Sequence, residues 1–286
     1  MRRTIGSVFA AAALAATGCN AELSPGATVI QSATATREAG SARVSYVAEF
    51  DAVSASDSVP LTGEGVFDYA NDRGRMVFDM SGLLGGSGTA PEGADEVEMI
   101  VDDVVVYMKM PFVTRMLPNP RPWIKLDLEA AAAAGRSDLA QVTQLGQGDP
   151  TQMLELLQGV TKEVRDLGRE DVRGAATTHY ETVLDLNRAA EQTSDSVRQS
   201  IQHLIARAGR ARIPADVWID DDGRMRKLSY AVDLPTSGDD ASPASLESMS
   251  VTLELYEFGI DVSVSVPSDD EVVDLLELSQ EQQGQS

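Results

Sequence analysis

The chain has 286 residues, with 45 acidic side chains against 23 basic ones, a formal charge of −22 and a single cysteine, Cys19. That field repels nucleic acid and anionic headgroups, and one cysteine leaves no partner for a disulfide within the chain. An apolar share of 43% with only 5% aromatic residues supports a real core, built from Val, Leu, Ile, Ala and Met.

Arg2 and Arg3 precede an apolar, alanine-rich run from Ile5 to Ala16, which is too short for a good membrane span and has the layout of a secretory signal. Small residues then run straight into the cysteine, and Ala16-Thr17-Gly18-Cys19 resembles the lipobox of bacterial lipoproteins. That resemblance implies cleavage before Cys19 and attachment of diacylglycerol and palmitate-type chains to it. Removing 18 residues, which include two arginines and no acid, leaves 268 residues and a formal charge of −24. The expected organisation is a signal peptide over 1–18, a lipidated cysteine and flexible tether over 19–40, one sheet-and-helix domain over 41–267, and an acidic helix and tail over 268–286. Order is expected to begin near Val29, as a short helix.

From Ser41 to Ser54, Val44, Tyr46, Ala48 and Phe50 fall on one side, the period of a half-buried strand. Leu61 to Ala70 and Arg75 to Ser81 read as two more strands, joined by the turn Asn71-Asp72-Arg73-Gly74. Met76, Phe78 and Met80 share one face of the third strand. Gly82 to Gly93 reads as a loop. A hairpin follows over Asp102-Asp103, with Val97, Met99 and Val101 on one arm and Val104, Val106, Met108 and Met110 on the other. Pro118 to Pro122 interrupts the pattern, and Trp123 to Leu128 resumes it. Six of the ten methionines lie between Met76 and Met116. Two readings stay open for them: gap-filling in a core short of aromatics, or a surface that accepts variable apolar ligands.

The period then changes. Leu139, Val142 and Leu145 are spaced as on a helix, and Asp149-Pro150-Thr151-Gln152 reads as a helix start. It leads into the stripe Met153, Leu156, Leu157 and Val160. Strand alternation returns over Glu163 to Leu167 and Thr177 to Leu186, around a loop from Gly168 to Gly174. Ala189 to Ala208 predicts the longest helix, with Val197, Ile201, Leu204, Ile205 and Ala208 on one face. Asp221-Asp222-Gly223 predicts a hairpin turn between Pro214–Asp220 and Met225–Asp233. Leu246 to Phe258 and Asp261 to Val266 predict two last strands, and Ser268 with Glu271 a capping box that opens an acidic helix. Two runs of antiparallel strands with helices mostly between them imply an α+β fold: a curved antiparallel sheet with helices on one face.

The residue types of an enzyme do not assemble. There is no Gly-x-Ser-x-Gly elbow, and His179 lies in the strand run Thr177-Thr178-His179-Tyr180, where a structural hydrogen bond is the expected role. His203 is expected on the surface of its helix. Asp220-Asp221-Asp222-Gly223 lacks the further ligands of a calcium loop, and Gly82 to Gly88 lacks the Lys-Ser/Thr of a phosphate loop. Neither catalytic residues, nor a metal, nor a cofactor is expected.

Three stretches, in order along the chain, resemble the LppX/LprG family of actinobacterial lipoproteins. They are Asp149-Pro150-Thr151-Gln152-Met153-Leu154 leading to Gly159-Val160-Thr161, then Gly168-Arg169-Glu170-Asp171-Val172-Arg173-Gly174 with Thr177-Thr178-His179-Tyr180, and Pro214 to Asp220 with Asp222 to Lys227. The resemblance implies a fold similar to the lipoprotein carrier LolA: a half-barrel sheet wrapped over helices, with an apolar cavity that takes acyl chains of a lipid or glycolipid. It implies transport or presentation across the cell envelope from the extracytoplasmic face of the membrane, with an envelope transporter as a further partner. A LolA-like domain can instead bind a partner protein, as an envelope sensor or regulator. Expected cavity-lining positions are Met76, Phe78 and Met80; Val104, Val106 and Met108; Leu156, Ile201 and Leu204.

Overall fold

The computed structural model describes residues 23–52, 58–84, 95–117, 120–134, 150–193, 195–234 and 246–283. The signal segment, Cys19, the expected helix over 137–145 and Asp149 lie outside the described residues.

Six strands form a first meander: β1 (Ser41–Ala52), β2 (Val59–Asp68), β3 (Arg73–Asp79), β4 (Glu96–Asp102), β5 (Val105–Lys109) and β6 (Trp123–Asp127). Five more form a second: β7 (Arg165–Val172), β8 (Ala175–Asp185), β9 (Arg212–Asp220), β10 (Met225–Asp233) and β11 (Leu246–Tyr256). β1 pairs with β11 and fuses the two meanders into one open sheet of order β12-β6-β5-β4-β3-β2-β1-β11-β10-β9-β8-β7. All pairings are antiparallel except the last one, where β12 (Val272–Asp274) runs parallel to β6. The tight turns fall on residues with positive φ: Asp72 at 48°, Asp103 at 56°, and Arg173 and Gly174 at 51° and 80°. The fold is α+β, a curved half-barrel.

Its helices are short. They are α1 (Pro25–Glu38), α2 (Ser81–Leu84), α3 (Pro111–Thr114), α4 (Leu128–Ala133), α5 (Pro150–Leu156), α6 (Leu186–Glu191), α7 (Asp195–Ala208) and α8 (Leu275–Gln283). A 3₁₀ turn, Leu157–Gly159, continues α5 and meets α1, α6 and β8.

Several expectations are corrected. The tether does not run to residue 40, because α1 starts at Pro25, with Ser24 Oγ accepting from Ala27 N–H at 3.4 Å. Val29, Ser32, Ala33 and Thr36 of α1 are buried, and Thr36 Oγ1 accepts the Met225 N–H at 2.9 Å, which ties α1 to the start of β10. The expected loop over Gly168 to Gly174 is mostly strand; only Arg173-Gly174 turn. The expected helix from Ala189 to Ala208 is two helices, α6 and α7. Asp185 caps α6, accepting from Asn187 N–H and Arg188 N–H at 3.1 and 3.2 Å. Asp261 to Val266, expected as a strand, forms no regular element and joins no sheet. Ser268 and Glu271 do form a capping box, but on a single 3₁₀ turn, Asp269–Glu271. β12 follows at once and enters the sheet, so the acidic C-terminal segment is part of the half-barrel.

Candidate functional site: the concave sheet face

Strand alternation sends every second side chain to the concave side. Register then lines these residues up across the sheet. One row runs Val97, Phe78, Gly63, Tyr46, Leu253, Leu228, Val217 and Tyr180, crossing eight strands from β4 to β8. The neighbouring row runs Gly65, Met76, Met99, Met108 and Ile124. Every member of both rows is buried except Gly65, which is partly exposed, and the side-chain-bearing members of the two rows belong to one apolar cluster.

Two glycines shape this face. A Cβ on Gly63 would sit 2.6 Å from the Phe78 ring, and one on Gly65 would sit 2.6 Å from Met76 Sδ and 2.1 Å from the Arg75 carbonyl. Phe78 and Met76 therefore lie over β2 where its own side chains are missing. Phe78 meets Tyr46 edge-on at 6.0 Å. Tyr230 donates its hydroxyl to Met153 Sδ of α5 at 3.7 Å. Burial pushes the phenols of Tyr46 and Tyr230 well above the ordinary range, with Tyr46 adding to the effect on Tyr230. Thr182, on the concave side of β8, is 2% exposed, and its hydroxyl has no partner among the described residues.

Of the expected lining positions, Met76, Phe78, Val106, Met108, Leu156 and Ile201 meet in this cluster, each at most 7% exposed. Met80 and Leu204 pack against it while partly buried. Val104 is corrected: it sits in the β4–β5 turn and is 37% exposed, because the hairpin turns before it can face inward. Sequence reasoning left out Tyr46, Met99 and Met153 as lining residues, and Gly63 and Gly65 as the seats of Phe78 and Met76. Gly63 and Gly65 in a strand pattern were the signal, since a strand glycine marks close approach of a neighbour.

The opposite face carries a polar network. His179 stacks on Trp218 with ring centres 4.2 Å apart. Its Nδ1 lies 2.9 Å from Glu170 Oε1 and its Nε2 2.7 Å from Asp216 Oδ1. Trp218 Nε1–H donates to Glu170 Oε2 at 2.7 Å, and Lys227 Nζ lies 4.5 Å from the Trp218 ring centre. The hydrogen bond from Trp218, then that from His179, holds the Glu170 carboxyl below its usual range. This network fastens edge strand β7 to β8, β9 and β10. Asp220 is 8% exposed and accepts from Arg224 Nε at 3.0 Å and Arg226 Nε at 2.7 Å, so two guanidiniums hold this carboxylate in the turn. Among the described residues no group of three or more His, Cys, Asp or Glu is placed to hold a metal ion. No described helix is long and apolar enough to cross a membrane.

No family model matches the sequence. In structure the chain is similar to lipoprotein LppX of Mycobacterium tuberculosis. The match covers 84% of this chain and 98% of that one, at 15% identity and a TM-score of 0.47. LprF of Mycobacterium bovis matches over 85% of this chain and 97% of its own, at 13% identity and a TM-score of 0.45. A LolA-superfamily protein of Nitrosomonas europaea matches over 84% and 96%, at 8% identity and a TM-score of 0.31. In sequence, a 31.2 kDa Streptomyces griseus protein from the rplA-rplJ intergenic region is 23% identical over 160 residues, which are 54% of this chain and 49% of that one. The chain thus spans about half the length of the curated relative it matches.

LppX is one of the lipoproteins that give their names to the group the sequence resembles. The stretches that carry the resemblance are structural parts: α5 with its 3₁₀ turn, the β7–β8 hairpin, and the β9–β10 hairpin. Thr177, His179 and Tyr180 divide between the two faces of one strand. Tyr180 enters the concave row, while His179 joins the outer network and Thr177 donates its hydroxyl to the Glu170 carbonyl at 2.8 Å.

Proposed function

We propose that the chain is a membrane-tethered lipoprotein that takes acyl chains of a lipid or glycolipid against its concave face. It holds them for transport or presentation at the extracytoplasmic side of the cell membrane, anchored through Cys19. The observation that carries this reading is the apolar row across eight strands of an open sheet, covered by short helices. Such a face is large, non-directional and rich in methionine, which repacks around chains of different length. The lining side chains pack closely on one another, so entry requires the covering helices to part from the sheet. Helices of one to four turns do this at less cost than separating strands, whose ladder bonds must break together. The lipobox-like run before Cys19 supports the anchor, and acyl chains at that sulfur contribute about 0.8 kcal/mol per buried methylene.

The test is extraction of the purified Cys19→Ser chain with organic solvent, followed by mass spectrometry. The expected result is acyl lipid bound to the protein, and photoactivatable fatty acid cross-linking to peptides containing residues 76–80 and 99–108. Protein that yields no lipid, and cross-links confined to the outer face, would refute the reading.

A further inference from the structure

Where β5 ends, Lys109, Thr114, Arg115, Arg121 and three prolines enclose a cleft of about 260 Å³. Its charge runs against the rest of the molecule. Eleven arginines elsewhere pair with carboxylates among the described residues: Arg37, Arg43, Arg73, Arg75, Arg165 and Arg169, and then Arg173, Arg210, Arg212, Arg224 and Arg226. Yet Arg115 and Arg121 pair with no carboxylate among the described residues, and Lys109 reaches only Glu98, at 3.9 Å, which Arg75 already holds at 2.7 Å.

The cleft is also built to stay open. Arg121 is fixed from behind, one of its terminal nitrogens donating to the carbonyls of Asp269 and Val272, both at 2.7 Å. That leaves the rest of its fork for another acceptor. The Asp270 carboxyl is held below its usual range, by Ser268 first and by Arg121 least, and no ion pair joins it to Arg121 among the described residues. Pro111, Pro120 and Pro122 stiffen the walls, so little order is lost on binding. Next to Arg115 in the chain, Met116 is an apolar side chain that stands 74% exposed.

We propose that this cleft is an anion site for a phosphate ester, with the guanidiniums of Arg115 and Arg121 and the ammonium of Lys109 as its donors. Two planar forks and a point charge suit the several acceptor oxygens of a phosphate better than the single edge of a carboxylate. A phospholipid headgroup and a free phosphate ester offer the same chemistry. Met116, apolar and exposed next to Arg115 in the chain, favours the headgroup, which brings methylenes with its phosphate. The site stands apart from the concave face and does not depend on acyl chains binding there.

Calorimetric titration of the Cys19→Ser chain at low salt tests the site with three ligands: glycerol phosphate, dihexanoyl phosphatidylglycerol, and dihexanoylglycerol, which lacks phosphate. Both phosphate-bearing ligands are expected to bind, and more weakly as salt rises. The Lys109→Gln/Arg115→Gln double variant removes two of the three charged donors and is expected to lose at least about tenfold in affinity, the worth of a single charge-assisted contact. Lys109 is close to half exposed and Arg115 is exposed, so the variant should melt as the parent chain does. Tighter binding of the lipid than of glycerol phosphate identifies a headgroup site, and equal binding a site for free esters. The proposal is overturned if dihexanoylglycerol binds as well as the phospholipid, if the double variant binds unchanged, or if neither phosphate ligand binds at millimolar concentration.

Discussion

Replacing Gly65 by alanine tests how the concave face is built. Its Cβ would lie 2.1 Å from the Arg75 carbonyl oxygen, 2.6 Å from Met76 Sδ and 2.9 Å from Met76 Cα, where ordinary contact begins at 3.4 Å. Met76 Sδ can swing away; the carbonyl and Cα belong to β3 and cannot move alone. The two strands must separate by roughly an ångström at the Gly65–Met76 pair. Overpacking of this kind costs about 1–3 kcal/mol, and weakening one ladder hydrogen bond adds about 1 kcal/mol. A loss of about 3 kcal/mol is expected, measured as a fall in urea midpoint at unchanged slope. Gly174→Ala is the control. It has φ of +80° and open space around it, so its cost is conformational alone, about 1–2 kcal/mol. Gly63→Ala should fall between them, since its clash is with the movable Phe78 ring. If Gly65→Ala costs no more than Gly174→Ala, the close seat of Met76 on β2 is not what shapes this face.

Three further outcomes follow from the same geometry. Thr182→Val removes a buried hydroxyl that has no partner among the described residues, and should raise stability by about 1 kcal/mol in urea titrations; destabilisation by that amount would show a partner for the hydroxyl. Asp220→Asn leaves Arg224 and Arg226 facing a neutral amide in a mostly buried turn and should cost about 3 kcal/mol, with a loss below about 1 kcal/mol refuting the buried-pair reading. Glu170 is held below its ordinary value of 4.5, so its contribution to stability is complete above that pH and is lost as pH falls through the lowered folded value. Glu170→Gln should therefore flatten the acid limb of the stability profile below about pH 4.5, and an unchanged limb would remove Glu170 from the network's acid response.

Local chemistry was legible wherever a pattern repeats. Because side-chain period and turn stereochemistry act within a few residues, alternation in Val44, Tyr46, Ala48 and Phe50 marked β1 and Asp221-Asp222-Gly223 marked its turn, while the hairpin expected over Asp102-Asp103 turns one residue later, at Asp103-Val104. The same alternation placed Met76, Phe78, Val106 and Met108 on the concave side. It failed for Val104, because a strand pattern does not say at which residue its hairpin turns.

What lay beyond the sequence was every relation between distant segments. Pairing of β1 with β11 turns two meanders into one sheet, and no residue in either strand names its partner. β12 is three residues long and parallel, too short to carry a period. The polar helix α1 showed little apolar stripe, and its burial comes from the floor that β9, β10 and the 3₁₀ turn present to it. The cationic cleft is likewise invisible in a chain of charge −22, since Lys109, Arg115 and Arg121 look like scattered bases until the fold sets them around one space. Sequence alone determined the strand faces, the turns and the lone cysteine behind its signal-like run, because these depend on neighbours along the chain. Tertiary structure decided which strands meet, which glycines seat which rings and where charges go unpaired, because those depend on register and on contacts between residues far apart in sequence.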